Sequence, residues 1–273
     1  MAMDGLPHAA SAGLFRPSLL VGLASHPGRT RAQNEDAVVA LVAAHAGVPA
    51  GEEFGLFIVA DGMGGQIGGQ RAAQLAARTA ARTVASQIYL PFLRSAAPDA
   101  DRPPLQEVLI GALREANDAV HTQLPESGTT LTAALLLGGE AYLAHVGDSR
   151  AYLLLGGRLQ RLTRDHTFVE RLHELGQLST AELSDHPQRN VLYRAVGQGD
   201  GLEVDVTRHA VPPGARLLLC CDGLWGVVAD ETLAAVLSEA PTPQAACERL
   251  VAAALEAGGP DNISAVLVEI AGP

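Results

Sequence analysis

Phe57-Ile58-Val59-Ala60-Asp61-Gly62-Met63-Gly64-Gly65 is an apolar run that ends in a carboxylate beside glycine, and Leu217-Leu218-Leu219-Cys220-Cys221-Asp222-Gly223 repeats the pattern far along the chain. Both read as apolar strands with an acid at the tip. Asp261 precedes a third such run, Ile263 to Ile270, after Gly258-Gly259-Pro260, and Asp148 follows Tyr142 to Val146 and Gly147. One Asp-Gly pair simply turns a chain. Four strand-end aspartates can instead converge on one sheet edge.

Working outward, further strands are expected at Ser18 to Ala24, Asp36 to Val42, Phe54 to Ala60, Thr130 to Leu137, Ala141 to Val146, Arg150 to Leu155, Val204 to Ala210 and Arg216 to Cys221, with Gly138-Gly139 as a hairpin turn. Gly69 to Ile88 and Leu105 to Leu124 carry apolar residues at helical spacing. Asp230 is expected to cap a helix running to Ala240, and Thr242-Pro243 to open another that Gly258-Gly259 closes. Helices and hairpin strands in separate blocks predict an α+β layered domain. Residues 1–17 mix Gly, Pro, His and Ala without period and read as a loosely ordered tail, leaving 18–273 as one domain.

The 273 residues include 48% hydrophobic types, enough for a sizeable core, and a formal net charge of -11 argues against a nucleic-acid partner. All 19 basic residues are Arg. Cys220, Cys221 and Cys247 are an odd set and not a disulfide framework, and the adjacent Cys220 and Cys221, in an apolar run without a partnering His, read as core residues. No apolar run reaches the roughly 18 to 20 residues of a membrane span. A monomer in the cytoplasm is the expectation. Gly62 to Gly69 fails as a dinucleotide loop because Ile67 holds the third glycine position, and Ser149 lacks the strand-turn-helix elbow of a nucleophile. The Arg71, Arg78 and Arg82 series reads as an exposed helix face. His45, His121 and His209 are read as surface or packing residues in loops or helices.

Carboxylates clustered with glycine carbonyls, without His or Cys at ligand spacing, make a hard oxygen site suited to Mg²⁺ or Mn²⁺. Two such ions about 3.5 to 4 Å apart can serve phosphoryl transfer to water. Arg31-Ala32-Gln33-Asn34-Glu35-Asp36 adds a guanidinium able to grip phosphate, followed by two acids.

With Arg31 to Asp36, Asp61 to Gly65, Gly128-Thr129-Thr130, Gly147-Asp148-Ser149-Arg150, Arg164-Asp165-His166, Cys221-Asp222-Gly223 and Gly259-Pro260-Asp261-Asn262 in this order, the chain resembles the metal-dependent protein phosphatases of type 2C, in their bacterial branch, over about residues 20–270. Leu162 to Gly197, with Asp165-His166, Leu175-Gly176 and His186-Pro187-Gln188-Arg189-Asn190, is similar to their mobile flap. The resemblance implies two stacked antiparallel sheets flanked by helix pairs, with the metal centre between them. It implies a Ser/Thr phosphatase working by direct attack of a metal-bridging water on phosphoproteins made by a cognate Ser/Thr kinase. By the same resemblance Asp61 bridges two Mn²⁺ or Mg²⁺ ions, the Gly62 carbonyl holds one, and Asp222 and Asp261 hold the other. Glu35 and Asp36 act through metal-bound waters, Arg31 holds the phosphate, and Asp148 with Asp222 forms a third, weaker site. Asn262 orders the Asp261 turn, Asp165, His166 and Asn190 are supporting residues, and Ser149 and Arg150 are structural. Met63 stands where many eukaryotic members carry a His acid, so leaving-group protonation falls to a metal-bound water. A non-catalytic phosphoprotein-binding domain and a di-metal esterase of small phosphorylated molecules are the competing readings.

Overall fold

The computed structural model describes residues 18–43, 53–64, 68–94, 103–183, 186–199 and 201–272. The expected tail, His45 and Gly65 lie outside them. In chain order the elements are β1 (Leu19–His26), β2 (Ala37–Ala43), β3 (Phe54–Ala60), β4 (Gly62–Met63), α1 (Gly68–Val84), a π-helical turn (Ala85–Tyr89), α2 (Leu90–Arg94), α3 (Leu105–Gln123), β5 (Gly128–Thr129), β6 (Leu131–Leu137), β7 (Glu140–Val146), β8 (Arg150–Leu155), β9 (Arg158–Arg161), α4 (Phe168–Glu174), α5 (Thr180–Leu183), β10 (Asp205–Ala210), β11 (Arg216–Cys220), α6 (Asp222–Trp225), α7 (Asp230–Glu239), α8 (Pro243–Glu256) and β12 (Ile263–Ile270).

Two five-stranded sheets form, in the orders β1-β12-β11-β8-β9 and β10-β7-β6-β3-β2, and every pairing is antiparallel. Strand alternation sends side chains to two different layers. In β11, Leu217 and Leu219 face the second sheet, together with Phe57, Val59, Val266 and Val268, whereas Leu218 and Cys220 face α7 and α8. In β3, Leu56 and Ile58 pack under α1 and α3 while Phe57 and Val59 enter the layer between sheets. All seven β3 residues are therefore buried, which is why its sequence shows no polar alternation. Each fully buried Leu or Phe there contributes on the order of 1.5 to 3 kcal/mol. Ala72, Ala76 and Ala80 of α1 meet Ala112 and Ala116 of α3 in the same cluster, small side chains that let two helices lie close on one sheet. The result is the expected α-β-β-α sandwich.

Some local expectations are corrected. Asp230 is the first residue of α7 and not its cap; Ala229 holds the cap position without a side-chain bond, and the acid in the first turn acts on the helix dipole instead. The first long helix does not end at Ile88: it passes through the π turn and continues as α2 to Arg94. His209 lies in strand β10 and not in a loop or helix. Strand β9 and helices α4 and α5 arise in a stretch given no secondary structure from sequence. The turn Gly156-Gly157, both with positive φ, reverses β8 into β9, and Thr167 caps α4 by accepting from the Glu170 amide.

Candidate active site

At one end of the sandwich, residues from both sheets surround a cleft of about 590 Å³ lined by Arg31, Glu35, Asp61, Gly62, Met63, Asp148, Asn190, Asp222, Asp261 and Asn262 among others. β3 delivers Asp61. Its carbonyl accepts from the Thr130 amide at 2.9 Å and the Thr129 hydroxyl at 2.8 Å, and its own amide donates to the Thr130 hydroxyl at 2.9 Å. The Gly128-Thr-Thr130 motif therefore fixes this acid through its backbone. Gly62 can only be glycine: a Cβ there would lie 2.2 Å from the Gly69 carbonyl oxygen.

β11 delivers Asp222, which opens the single turn α6 instead of a plain Asp-Gly reversal. A Cβ on Gly223 would meet the Asn262 carbonyl oxygen at 1.9 Å, so absence of a side chain lets α6 abut the Asp261-Asn262 turn. Asn262 does more than order that turn. Its side-chain oxygen accepts from the Glu35 amide at 2.8 Å and its side-chain nitrogen donates to the carbonyls of Pro27 and Gln33, each at 2.9 Å, pinning the loop that carries Arg31 and Glu35. Asp261 accepts from the Asn262 amide with one oxygen and from Arg31 Nη2 with the other, at 2.8 and 2.7 Å. Asp148 follows Gly147, whose φ of 110° fits glycine, and its side chain is buried.

The acids are held close at an electrostatic cost. Burial and then the neighbouring charge of Asp36, with Asp222 and Asp148, push the Asp61 carboxyl well above the usual range. Burial does the same to Asp148, with Asp222 as the next cause, and raises the pKa of the Asp222 carboxyl, with Asp261 next. Asp36 is pushed up to about 7, chiefly by burial. The Ser264 hydroxyl and Cys221 thiol favour its charged form, yet neither makes a geometrically sound hydrogen bond, and both Asp36 oxygens are buried without a partner. A carboxylate left so is expensive unless a cation meets it.

That observation supplies a test of whether a metal fits. Ligand atoms of Asp36, Asp61 and Cys221 lie within 4.8 Å of one another. The thiol is otherwise engaged, donating to the Asn262 carbonyl and accepting from the Ser264 amide, and burial pushes its pKa up, so the oxygens remain as donors. An all-oxygen set with several acids and one nearby guanidinium suits a hard divalent cation. The residues present fit such a group.

Of the supporting residues, Asn190 lines the cleft from the 162–197 stretch. Asp165 accepts from Arg150, from Nε at 3.0 and 3.2 Å and from Nη2 at 2.6 Å. His166 instead accepts from the Gly147 amide at Nδ1, 3.0 Å, which leaves its Nε2 proton toward Asp205 at 3.2 Å. Burial lowers the pKa of His166, keeping it neutral. The sequence assigns no role to Thr129 and Thr130, although they stand in the Gly128-Thr129-Thr130 motif, and Trp225 gives no signal there.

The fold and cleft define a carboxylate-centred, cation-binding α-β-β-α sandwich. Residues 30–268 match protein phosphatase 2C, and the chain belongs to that family. Serine/threonine protein phosphatase PstP of Mycobacterium tuberculosis is 36% identical over 252 residues, covering 90% of this chain and 44% of that protein; the chain thus spans under half the length of this curated relative. The crystal structure of M. tuberculosis serine/threonine phosphatase PstP/Ppp superposes with a TM-score of 0.76 at 35% identity, covering 93% of this chain and 99% of the other. The catalytic domain of PstP in complex with two manganese ions gives 0.74 at 34% identity, covering 93% and 99%. No helix among the described residues is long and apolar enough to cross a membrane.

Proposed function

We propose that the chain is a metal-dependent protein serine/threonine phosphatase. The observation that carries this reading is the convergence of Asp61, Asp148 and Asp222, all with raised pKa, on one cleft that Arg31 and Asp261 also line, with Asp36 buried close behind Asp61. Asp61, the Gly62 carbonyl, Asp222 and Asp261 would hold two Mn²⁺ or Mg²⁺ ions, with Glu35 and Asp36 behind them and Asp148 with Asp222 offering a third position. When bound, the ions supply a water activated for in-line attack and neutralise charge on the phosphoryl group. Arg31, half exposed on its loop, grips two phosphate oxygens with its planar fork. Asn262 holds that loop in place by its bonds to the Glu35 amide and the Gln33 carbonyl. Met63 gives the cleft a thioether wall where an imidazole acid is absent, so no side chain at that position donates a proton to the leaving oxygen. Attack by water leaves no phosphorylated side chain.

The substrate class we infer is phosphoserine and phosphothreonine in proteins, made by a cognate Ser/Thr kinase in the cytoplasm, with the chain acting as a monomer and 162–197 as a flap over the cleft. Support comes from PstP, whose name is that of a serine/threonine phosphatase.

Purified protein tested with Mn²⁺ on a phosphoserine peptide, a phosphotyrosine peptide and a phosphodiester is expected to hydrolyse the first, and to stop with excess chelator. Asp61→Ala and Asp222→Ala should each lower kcat by several powers of ten. Full activity in chelator, hydrolysis of the diester alone, or near-normal kcat in Asp61→Ala overturns the reading.

A further inference from the structure

Trp225 is the chain's single tryptophan, and its indole N–H donates to the carbonyl oxygen of Asp148 at 3.0 Å. Helix α6 is one turn long with Asp222 first and Trp225 last. Residues three apart share a helix face, so the indole that reaches the Asp148 turn projects from the same side as the Asp222 carboxylate. Asp148 leaves the sheet that contains β7, and Asp222 leaves the sheet that contains β11. The indole bond therefore ties together the two places from which these like-charged side chains enter the cleft.

The ring is also held from its face. Arg150 Cζ lies 3.4 Å from the indole centroid. Its guanidinium cannot turn freely, because Asp165 accepts from Nε and Nη2 while Nη1 donates to the Tyr152 hydroxyl at 3.0 Å. Asp165 and Tyr152 are both buried. A buried ion pair adds little net stability, since desolvation offsets the attraction. What the planar, doubly bonded guanidinium does supply is direction, and it hands that direction to the indole by stacking. The Asp61 backbone is fixed separately, by Thr129 and Thr130.

We propose that Trp225 and Arg150 are positioning residues: their stacked pair holds Asp148 at its spacing from Asp222 and so sets the affinity of the cation position these two carboxylates share, while Asp222 itself stays in place for the core position around Asp61. This rests on the reading of those acids as cation ligands.

Trp225→Phe keeps the stacking ring and deletes the donor. Binding of Mn²⁺ alone, followed by electron paramagnetic resonance of the free ion, separates tight from weak classes without turnover. The weak-class Kd should rise five- to tenfold with the tight class unchanged, and half-maximal hydrolysis of a phosphoserine peptide should need correspondingly more Mn²⁺ at constant KM for peptide. Arg150→Lys, which loses the planar fork, should weaken the same class and red-shift the emission of the lone tryptophan; it carries the test if Trp225→Phe does not fold. An unchanged weak class, equal loss from both classes, or a single class in the parent protein overturns the proposal. A parent protein with both classes and no phosphatase activity would instead count against the enzymatic reading alone, leaving the split between classes to decide the positioning role.

Discussion

Arg31 Nη2 and Asp261 Oδ2 stand 2.7 Å apart, an ion pair between the residue read as the phosphate clamp and one read as a cation ligand. Hydrogen bonding and charge from Asp261 raise the pKa of the guanidinium. With 53% and 34% of the two side chains exposed, the pair contributes about 0 to 1 kcal/mol to stability.

Arg31→Ala should therefore leave the thermal midpoint nearly unchanged. It should raise KM for phosphopeptides, lower kcat where the fork also serves the transition state, and leave Mn²⁺ affinity equal or slightly tighter, because a competing cation beside Asp261 is gone. Arg31→Lys should recover little, since an ammonium cannot span two phosphate oxygens. Steady-state kinetics beside Mn²⁺ titration checks this; unchanged KM and kcat, or markedly weaker Mn²⁺ binding, would remove Arg31 from the role assigned to it.

Both sheets are legible in the sequence because their central strands are buried on two faces. Phe54 to Ala60 and Ile263 to Ile270 are nearly unbroken apolar runs, and the structure starts and ends those strands where the runs do. The acids are legible because each follows such a run. What lies between residues 156 and 199 is not, since α4 and α5 are too short to show a period and hang on long-range bonds such as Phe168 N–H to the Val191 carbonyl and Tyr193 N–H to the His166 carbonyl. The α6 turn is hidden for a different reason: Gly223 lies within it, so that Asp222-Gly223 reads as a chain reversal after the apolar run, and Gly226 ends it after one turn. Asn262 and Trp225 act on segments far away in sequence, Pro27 to Glu35 and Asp148, and local pattern carries no trace of such a reach.

Gly223 offers a test of how tightly the acids depend on one close approach. Gly223→Ala puts a methyl where the Asn262 carbonyl oxygen now sits at 1.9 Å, so α6 or the Asp261-Asn262 turn must move. Destabilisation of about 1 to 3 kcal/mol is expected from such overpacking, together with weaker Mn²⁺ binding because Asp222 and Asp261 separate. Denaturant unfolding and Mn²⁺ titration measure both. A variant as stable as the parent with the same Mn²⁺ affinity would show that the contact is not tight in solution.

The acid cluster also dictates how stability changes with pH when chelator keeps cations away. Asp36, at about 7 in the fold against about 3.9 in an unfolded chain, binds protons in the native state that the unfolded state lacks between those values. Stability therefore falls as pH rises through that window and the loss is complete above it; Asp61, Asp148 and Asp222 act in the same direction. His145, lowered by burial to about 4, works oppositely below its unfolded value of about 6.5, which leaves pH 6.5 to 8 as the interval where the carboxyls dominate. In chelator the thermal midpoint should drop across that interval. Asp36→Asn should flatten the drop and, at pH 8, gain about 1 to 3 kcal/mol, since an unpaired buried amide costs less than an unpaired buried charge. Saturating Mn²⁺ should invert the order, because ligand binding to the native state stabilises the parent more than a variant that binds it poorly. Calorimetric scans of both proteins at pH 6.5 and 8, with chelator and with Mn²⁺, decide it: a flat midpoint in chelator, or an Asp36→Asn protein less stable than the parent at pH 8 without cation, would mean that the buried carboxyls are not the strained group described above.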